Sequence, residues 1–217
     1  MSDSRDTKTR ILDTAERLFA ERGYASTSLR NITTEAGVNL ASVNYHFGSK
    51  ETLLYQVLAR RLGPINEERV RLLDEAGAKA GDDAPDLEDV IRAFLLPAFQ
   101  AFQENGEQGA QFMQLIGRTH SETNDQFRNL FLDLFRDVIQ RFTSAFHQVF
   151  PHLSEEEVRL KLFFLVGAMA HTLAWSQKVE WLPKGNESRA MIYETLVQFA
   201  TAGMRAAVPV VEQGRMS

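Results

Sequence analysis

The sequence has no cysteine among its 217 residues, which excludes disulfide bonds, thiolate-ligated metals and a thiol nucleophile. It also lacks a long apolar run. The longest, residues 163–175, contains His171 and Thr172 and falls short of the roughly 20 residues that span a bilayer. The polar start MSDSRD is unlike a secretory signal peptide. Hydrophobic residues still make up 44%, enough for a core, so we expect a soluble, cytoplasmic protein without a membrane partner.

Patterns of catalytic and cofactor-binding residues are also missing. The histidines show no HxxxH spacing, and no acidic residue joins them in a metal-ligand pattern. The sequence contains no GxSxG, no phosphate-binding loop and no GxGxxG. Strand-like alternation of apolar and polar residues is absent as well. We therefore predict an all-α protein that is not an enzyme and that uses no metal and no cofactor.

Positive charge is scarce overall, but it is unevenly distributed. Residues 1–62 carry nine Lys and Arg against seven Asp and Glu, a net charge of +2. Residues 63–217 carry fifteen against twenty-two, a net charge of −7, which gives −5 for the whole chain. A mildly basic head on an acidic body favours a separate nucleic-acid-binding head, although charge on most proteins is simply solvated surface.

The stretch 29–50, LRNITTEAGVNLASVNYHFGSK, predicts two short helices joined by a tight turn. Apolar residues at i, i+3 and i+7 mark a first helix over 29–36. Gly37 can adopt the left-handed conformation that ends it, and Asn39 can cap a second helix over 40–47. Val43 and Phe47 stand at i, i+4 and should be buried against the first helix. This pattern is typical of a helix-turn-helix, whose second helix commonly enters the DNA major groove.

The side chains outside this buried pair suit contact with DNA. Tyr45, His46 and Lys50 can donate to phosphates. Residues near the start of the second helix can reach base edges, and these are Leu40, Ala41, Ser42 and Asn44. We also assign DNA contacts to Asn39 and to the link before the first helix, where Thr27 is a predicted cap and phosphate donor beside Ser28. Arg5, Lys8 and Arg10, near the chain start, can touch phosphates or be solvated. The alternative is an ordinary helical hairpin in which Tyr45 and His46 are half-buried.

The head resembles the DNA-binding domain of the TetR family of bacterial repressors. The residues that carry the resemblance are Ile11, Ala15, Leu18, Phe19, Gly23, Tyr24, Thr27, Ile32, Ala36, Gly37, Val38, Tyr45, His46, Phe47, Lys50, Glu51 and Leu53. Segment 37–50 is also similar to a branch that includes fatty-acid-responsive members. The resemblance implies a homodimeric repressor that a small ligand releases from DNA, with Tyr45, His46 and Lys50 contacting the DNA backbone. Many members differ at the position of Asn44, so the operator sequence does not carry over.

Apolar periodicity predicts further helices along the whole chain. Helix one should span 7–22, and a long helix should follow residue 50 and be kinked or broken at Gly63-Pro64. A loop at 77–85 precedes predicted helices over 87–103, 108–119, 124–150, 154–178 and 188–205. Ser154 and Glu157 form a predicted capping box. The resulting organisation is a three-helix helix-turn-helix domain at 1–50, a larger helical ligand-binding and dimerisation domain at 51–207, and a loose tail at 208–217.

The body holds most of the fifteen phenylalanines, together with both tryptophans. Packed phenylalanine is usually core, but so many rings around a helix bent by Pro97 favour a cavity for a small apolar effector. We expect this ligand to contact Phe94, Phe99, Phe112, Arg118, Phe131, Phe135, His171 and Trp175. Among these, Arg118 is the candidate for an anionic head group.

Small residues in the last two helices, among them Gly167 and Gly203, allow close helix approach and favour a homodimer, although packing within one chain would use them equally well. We therefore predict a ligand-responsive transcriptional repressor on an inverted-repeat, double-stranded DNA operator. Two alternatives stay open. One is a helical lipid-binding or enzymatic domain with a structural helix-turn-helix, and the other is a regulator without a ligand.

Overall fold

The computed structural model describes residues 2–104, 109, 112, 115–116, 125–176 and 178–207, and this part of the chain is helical without a strand. The helices are α1 Ser2–Arg22, α2 Leu29–Ala36, α3 Leu40–Phe47, α4 Lys50–Ala80, α5 Leu87–Glu104, α6 Asp125–Val149, α7 Glu155–Trp175 and α8 Asn186–Arg205. Residues 109, 112, 115 and 116, which belong to the predicted 108–119 helix, are helical too. The all-α prediction is therefore confirmed.

The chain divides into two compact units. The first combines residues 1–70 with 97–139, and the second combines residues 71–96 with 140–217. The first unit therefore holds the helix-turn-helix, most of α4 and a segment from the middle of the chain. The boundary at residue 50 between the two predicted domains stays a prediction, and the predicted tail 208–217 lies outside the described residues.

The first unit is built around the apolar stripe of α1. The predicted stripe is buried as expected, with each of its residues at most 7% exposed, and it consists of Ile11, Leu12, Ala15, Leu18 and Phe19. These side chains join one core with Ile32 of α2, Val43 and Phe47 of α3, and the buried leucines at the start of α4. The helix begins at Ser2, five residues before the predicted start. An Asp6–Arg10 pair, at i and i+4 and 4.0 Å apart, supports its early turns.

Helix α4 corrects two predictions. The sequence predicted a kink or a break at Gly63-Pro64, and the helix is not broken there, because it continues through both residues over a length of 31 residues. Proline removes one backbone hydrogen bond, and buried leucines on the preceding turns hold the helix in place. The loop predicted from Gly77 begins only at Gly81, which has φ +65°. The intervening Ala78, Lys79 and Ala80 are good helix formers, and Lys79 Nζ lies 2.6 Å from Asp89 Oδ2.

The second unit is held by aromatic and capping contacts. The rings of Phe94 and Phe142 meet edge to face with centroids 5.0 Å apart. The predicted capping box is confirmed, since Ser154 Oγ accepts from the Glu157 backbone N–H and the Glu157 carboxylate accepts from the Ser154 backbone N–H. Helices α7 and α8 are also tied together, because Lys161 Nζ donates to the Gly203 and Ala206 carbonyls at 3.0 and 2.6 Å.

Helix α7 exposes much apolar surface. Phe163 and Phe164 are 69% and 63% exposed, and α8 adds Phe199 at 68%. By length and composition alone α7 could cross a bilayer, with a mean hydropathy of 1.3 over its most apolar window. Core helices of soluble proteins meet the same criterion, but only 33% of this window is buried. Helix α7 therefore leaves an apolar side exposed in the single chain.

Candidate nucleic-acid interface

Helix α2 begins with a reciprocal cap at Ser28, one residue after the predicted cap Thr27. Ser28 Oγ accepts from the Asn31 backbone N–H at 3.1 Å, and Asn31 Oδ1 accepts from the Ser28 backbone N–H at 2.9 Å. Thr27 is instead fully buried, and its hydroxyl lies 2.8 Å from the Gly23 carbonyl and 3.2 Å from that of Leu18. The cap and DNA-contact predictions for Thr27 were wrong, because this hydroxyl fastens the loop to α1.

The turn between α2 and α3 has the predicted form. Gly37 has φ 64° and ψ 38°, the left-handed conformation that a side chain would strain. The Val38 backbone N–H donates to the Thr33 carbonyl at 3.0 Å, which closes the end of α2. Arg10 Nη2 of α1 also donates a hydrogen bond to the Gly37 carbonyl at 3.4 Å, which links the turn to α1.

Helix α3 presents one buried and one exposed side. Val43 and Phe47 are 0% and 4% exposed, as predicted from their spacing. Asn39 caps the helix, since its Oδ1 accepts from the Ser42 backbone N–H at 2.8 Å. The exposed or partly exposed side holds the remaining predicted contacts of this helix, namely Leu40, Ala41, Ser42, Asn44, Tyr45 and His46.

Aromatic and basic groups cluster at the end of α3. Tyr45 is 83% exposed, and its ring meets that of His46 edge to face at 5.1 Å. The ammonium of Lys8, an exposed residue of α1, lies 5.9 Å from the centroid of the Phe47 ring. A cation near the exposed end of α3 is placed to meet phosphate. From the sequence alone, Lys8 could be a phosphate contact or a solvated charge, and the structure places its ammonium beside the end of α3.

Ion pairs fix the helices that carry this surface. Glu16 of α1 is 4% exposed and meets Arg60 Nη2 at 2.5 Å and Arg61 Nε at 2.9 Å, both from α4. Glu35 of α2 is paired with Arg17, and with Arg22 at 2.9 Å. The hydrogen bond from Arg17 holds the pKa of the Glu35 carboxyl below its ordinary value. The scaffold is therefore cross-linked by charge as well as by its core.

The described members of the predicted ligand site are distributed over both units. Phe99 and Phe112 are buried in the first unit, where Phe135 is partly buried, whereas Phe94 is buried in the second. Arg118 and the side chain of Phe131 lie outside the described residues.

Two of the predicted ligand contacts are exposed. The rings of His171 and Trp175 stack at 6.3 Å on the exposed side of α7, where Trp175 is 50% exposed. The ligand contacts of these two residues therefore stay predictions.

Two short helices in a cross-linked core, the second with a polar exposed side, define a helix-turn-helix DNA-binding protein. The family described as bacterial regulatory proteins, tetR family, matches residues 11–57, and the tetracyclin repressor-like C-terminal domain matches residues 92–203, more than half of the chain. The chain belongs to the TetR family of transcriptional regulators. The resemblance inferred from the sequence is thereby confirmed, and the protein is a DNA-binding regulator rather than an enzyme.

Individual relatives agree with this assignment. YerO, a helix-turn-helix type transcriptional regulator of Bacillus subtilis (strain 168), is 23% identical over 149 residues, 63% of this chain and 50% of its own length. The chain thus spans about half the length of this curated relative.

Solved structures share the fold. A tetR family regulator from Shewanella sp. PV-4 has a TM-score of 0.62 at 18% identity and covers 89% of this chain and 97% of its own. The fatty acid degradation regulator FadR from Bacillus halodurans has a TM-score of 0.60 at 18% identity, with coverages of 93% and 97%.

Proposed function

We propose that this TetR-family regulator is a cytoplasmic, homodimeric repressor that binds an inverted-repeat operator and leaves it when a largely apolar effector binds. The observation that carries the proposal is the polar, exposed side of α3. The opposite side of this helix is buried in one core with α1 and α2, which fixes its position. Footprinting of the purified full chain on genomic fragments is the test. Protected inverted repeats that resist competitor DNA support the proposal, and uniform or absent protection contradicts it.

The contacts with DNA divide by chemistry. Tyr45 and His46 can donate to phosphates from the end of α3, and Lys50 follows at the start of α4. Leu40, Ala41, Ser42 and Asn44 lie where side chains of a recognition helix meet base edges. Substitutions at Ser42 or Asn44 should therefore relax the preference at particular operator positions by about 1–3 kcal/mol. A uniform loss on every operator would assign them to the phosphate contacts instead.

A second copy of the chain is the partner proposed for the apolar side of α7 and α8. On α7, Leu160, Phe164 and Trp175 are 46%, 63% and 50% exposed and share one side of the helix with Gly167. A two-fold four-helix bundle would bury this side and its equivalent. Sedimentation at micromolar protein should give a dimer, and a monomer would contradict the proposal. A dimer also predicts half-sites about one helical turn, or a multiple of it, apart.

The proposed effector is apolar with an anionic group. Phe99 and Phe112 supply buried apolar surface in the first unit. In the same unit Arg69 is 1% exposed, its guanidinium carbon is 5.8 Å from the centroid of the Phe135 ring, and its Nη1 donates to Asn66 Oδ1 at 3.0 Å. Burial lowers the pKa of Arg69 to about 10. A carboxylate that reached this cation would form a desolvated, charge-assisted hydrogen bond.

An effector acts only if it binds the DNA-competent and the released states with different affinities. A coupling of about 1–3 kcal/mol would lower operator affinity roughly 5- to 150-fold. Long-chain fatty acids are the first ligands to titrate against the protein–operator complex, because a structural neighbour is described as a fatty acid degradation regulator. Fatty-acid thioesters and bulky aromatic cations follow. If none of them releases the operator, the protein regulates without this class of ligand.

A further inference from the structure

The hydrogen bond between Asn39 and Ser42 has a fixed direction. Asn39 Oδ1 lies 2.8 Å from the Ser42 backbone nitrogen, which can only donate. The atom of the amide that faces this N–H must therefore be the oxygen. Ser42 Oγ lies 3.0 Å from the same oxygen. A carboxamide oxygen can only accept, so the proton of the Ser42 hydroxyl points at Asn39.

Each of the two side chains consequently presents only one kind of hydrogen-bonding group to solvent: Asn39 presents donors and Ser42 presents an acceptor. The amide nitrogen of Asn39 points away from the cap and carries two donors. The Ser42 hydroxyl has placed its proton in the cap and offers lone pairs. Asn39 is exposed and Ser42 is partly exposed, so a duplex that meets the start of α3 can reach both.

DNA responds differently to a donor and to an acceptor. Phosphate oxygens only accept, and so do guanine N7 and O6, adenine N7 and thymine O4. The donors in the major groove are the amino groups of adenine and cytosine. The Asn39 amide can therefore bond to a phosphate or to an accepting base edge. The Ser42 hydroxyl, in this arrangement, can bond only to an amino group.

From this geometry we infer that Ser42 reads an amino base, adenine or cytosine, in preference to a keto base, guanine or thymine, at one position of each half-site. Of its two possible acceptors, the Asn39 amide donates to a phosphate, which every sequence offers. This inference rests on the proposed function, since it requires α3 in the major groove. The Asn39 side chain acts as a positioning residue for Ser42 through the orientation of the hydroxyl proton.

The preference has a limited size. To meet a keto oxygen, Ser42 would have to turn its proton away from Asn39 and give up one hydrogen bond. A hydrogen bond of this kind is worth about 3- to 10-fold in an equilibrium constant. The expected discrimination between amino and keto bases is therefore about 3- to 10-fold, smaller than that of a bidentate contact.

The test first selects the sites that the full chain binds from a random-sequence duplex library. The affinity is then measured with each of the four bases at every position of the selected site. Wild type should show one position per half-site at which adenine and cytosine exceed guanine and thymine. Ser42→Ala should lose the difference at that position alone. Replacing a contacted adenine there by purine, which lacks the amino group, should weaken wild type by the same factor and leave Ser42→Ala unchanged.

Two substitutions of Asn39 separate its role as the acceptor that orients the Ser42 hydroxyl from its own contact with DNA. Asn39→Asp keeps an oxygen that caps the helix but removes both outward donors. It should weaken binding to all sequences and retain the amino preference of Ser42. Asn39→Gly is tolerated at the start of a helix, but it removes the acceptor that orients the hydroxyl. It should therefore abolish the amino preference although Ser42 is still present.

The outcomes are distinguishable. Unchanged circular dichroism and melting temperature verify that the variants fold. If wild type selects no sequence, the proposed function fails and this inference fails with it. If wild type selects a site but no position separates amino from keto bases, or if Asn39→Gly keeps the separation, the function stands and the inference is wrong.

Discussion

The ammonium of Lys50 donates to the backbone carbonyl of Tyr24 at 2.6 Å and lies 4.0 Å from the centroid of the Tyr24 ring. The hydroxyl of the same tyrosine donates to Glu51 Oε1 at 3.0 Å. The first two residues of α4 therefore hold Tyr24, the second residue after the end of α1. Lys50, which the sequence suggested only as a phosphate contact, also ties the start of α4 to Tyr24.

Lys50→Ala should consequently have two effects. The loss of a charged hydrogen bond and a cation–π contact should lower the free energy of unfolding by about 1–2 kcal/mol in this partly exposed position. The loss of one phosphate contact should also lower the slope of log affinity against log salt by roughly 0.9. Urea unfolding and salt-dependent binding measure the two effects separately. A lower stability with an unchanged slope would make Lys50 a purely structural residue.

Lys8→Ala should weaken binding to all operator sequences alike and lower the salt slope by roughly 0.9, because its ammonium lies beside Phe47 at the end of α3. Stability should change little, since Lys8 is exposed. Lys79→Ala is the matched control, as this lysine lies in the last turn of α4 and is paired with Asp89. An altered base preference in Lys8→Ala, or an equal loss in Lys79→Ala, would contradict the assignment.

The sequence predicted the head well because local rules decide its structure. The Gly37 turn, the Asn39 cap and the burial of Val43 and Phe47 depend on neighbouring residues alone, and each is present. Thr27 was misassigned for a non-local reason. Two adjacent hydroxyl residues can both cap a helix, and the path of the loop over α1 decides that Ser28 caps α2 while Thr27 is buried.

The body was harder to predict, because the apolar character of a residue does not show which part of the protein, if any, packs against it. His171 and Trp175 lie on the exposed side of α7, which spacing along the helix did not reveal, and their contact with a ligand stays a prediction. Gly63-Pro64 was expected to kink or break α4, yet the helix continues through both residues, with Leu58 and Leu62 buried on the preceding turns. Burial of these turns keeps the helix unbroken in spite of the hydrogen bond that proline removes.

The capping box of α7 predicts a pH dependence of stability. The Glu157 carboxylate accepts from the Ser154 backbone N–H at 2.7 Å and from its hydroxyl at 2.8 Å, which holds the pKa of Glu157 below its ordinary 4.5. A carboxyl whose pKa is lowered by folding stabilises the protein above its unfolded pKa, and this contribution is lost as the pH falls through the folded value. Glu157→Gln should therefore reduce the loss of stability below about pH 4.5.

Glu156→Gln is the control for this experiment, since it removes an acid from the same first turn of α7 and leaves the capping box in place. Urea unfolding between neutral and acid pH gives the comparison. Equal acid sensitivity of wild type and Glu157→Gln would show that the capping carboxylate does not contribute to the pH dependence.

The proposed dimer can be tested at a position where the single chain has room. A Cβ built on Gly167 meets no heavy atom of the described residues within 4 Å, and Gly77 of α4 is equally open. Leucine favours a helix over glycine by about 0.5–1 kcal/mol, so neither Gly167→Leu nor Gly77→Leu should harm folding of the monomer. Only Gly167 shares the apolar side of α7 with Leu160, Phe164 and Trp175. Gly167→Leu should therefore hold two copies apart and shift sedimentation towards monomer, while Gly77→Leu stays dimeric.

Because two linked recognition helices bind an inverted repeat far more tightly than one, operator affinity should fall with dimerisation in Gly167→Leu alone. A Gly167→Leu variant that sediments as wild type would exclude this side of α7 from the interface.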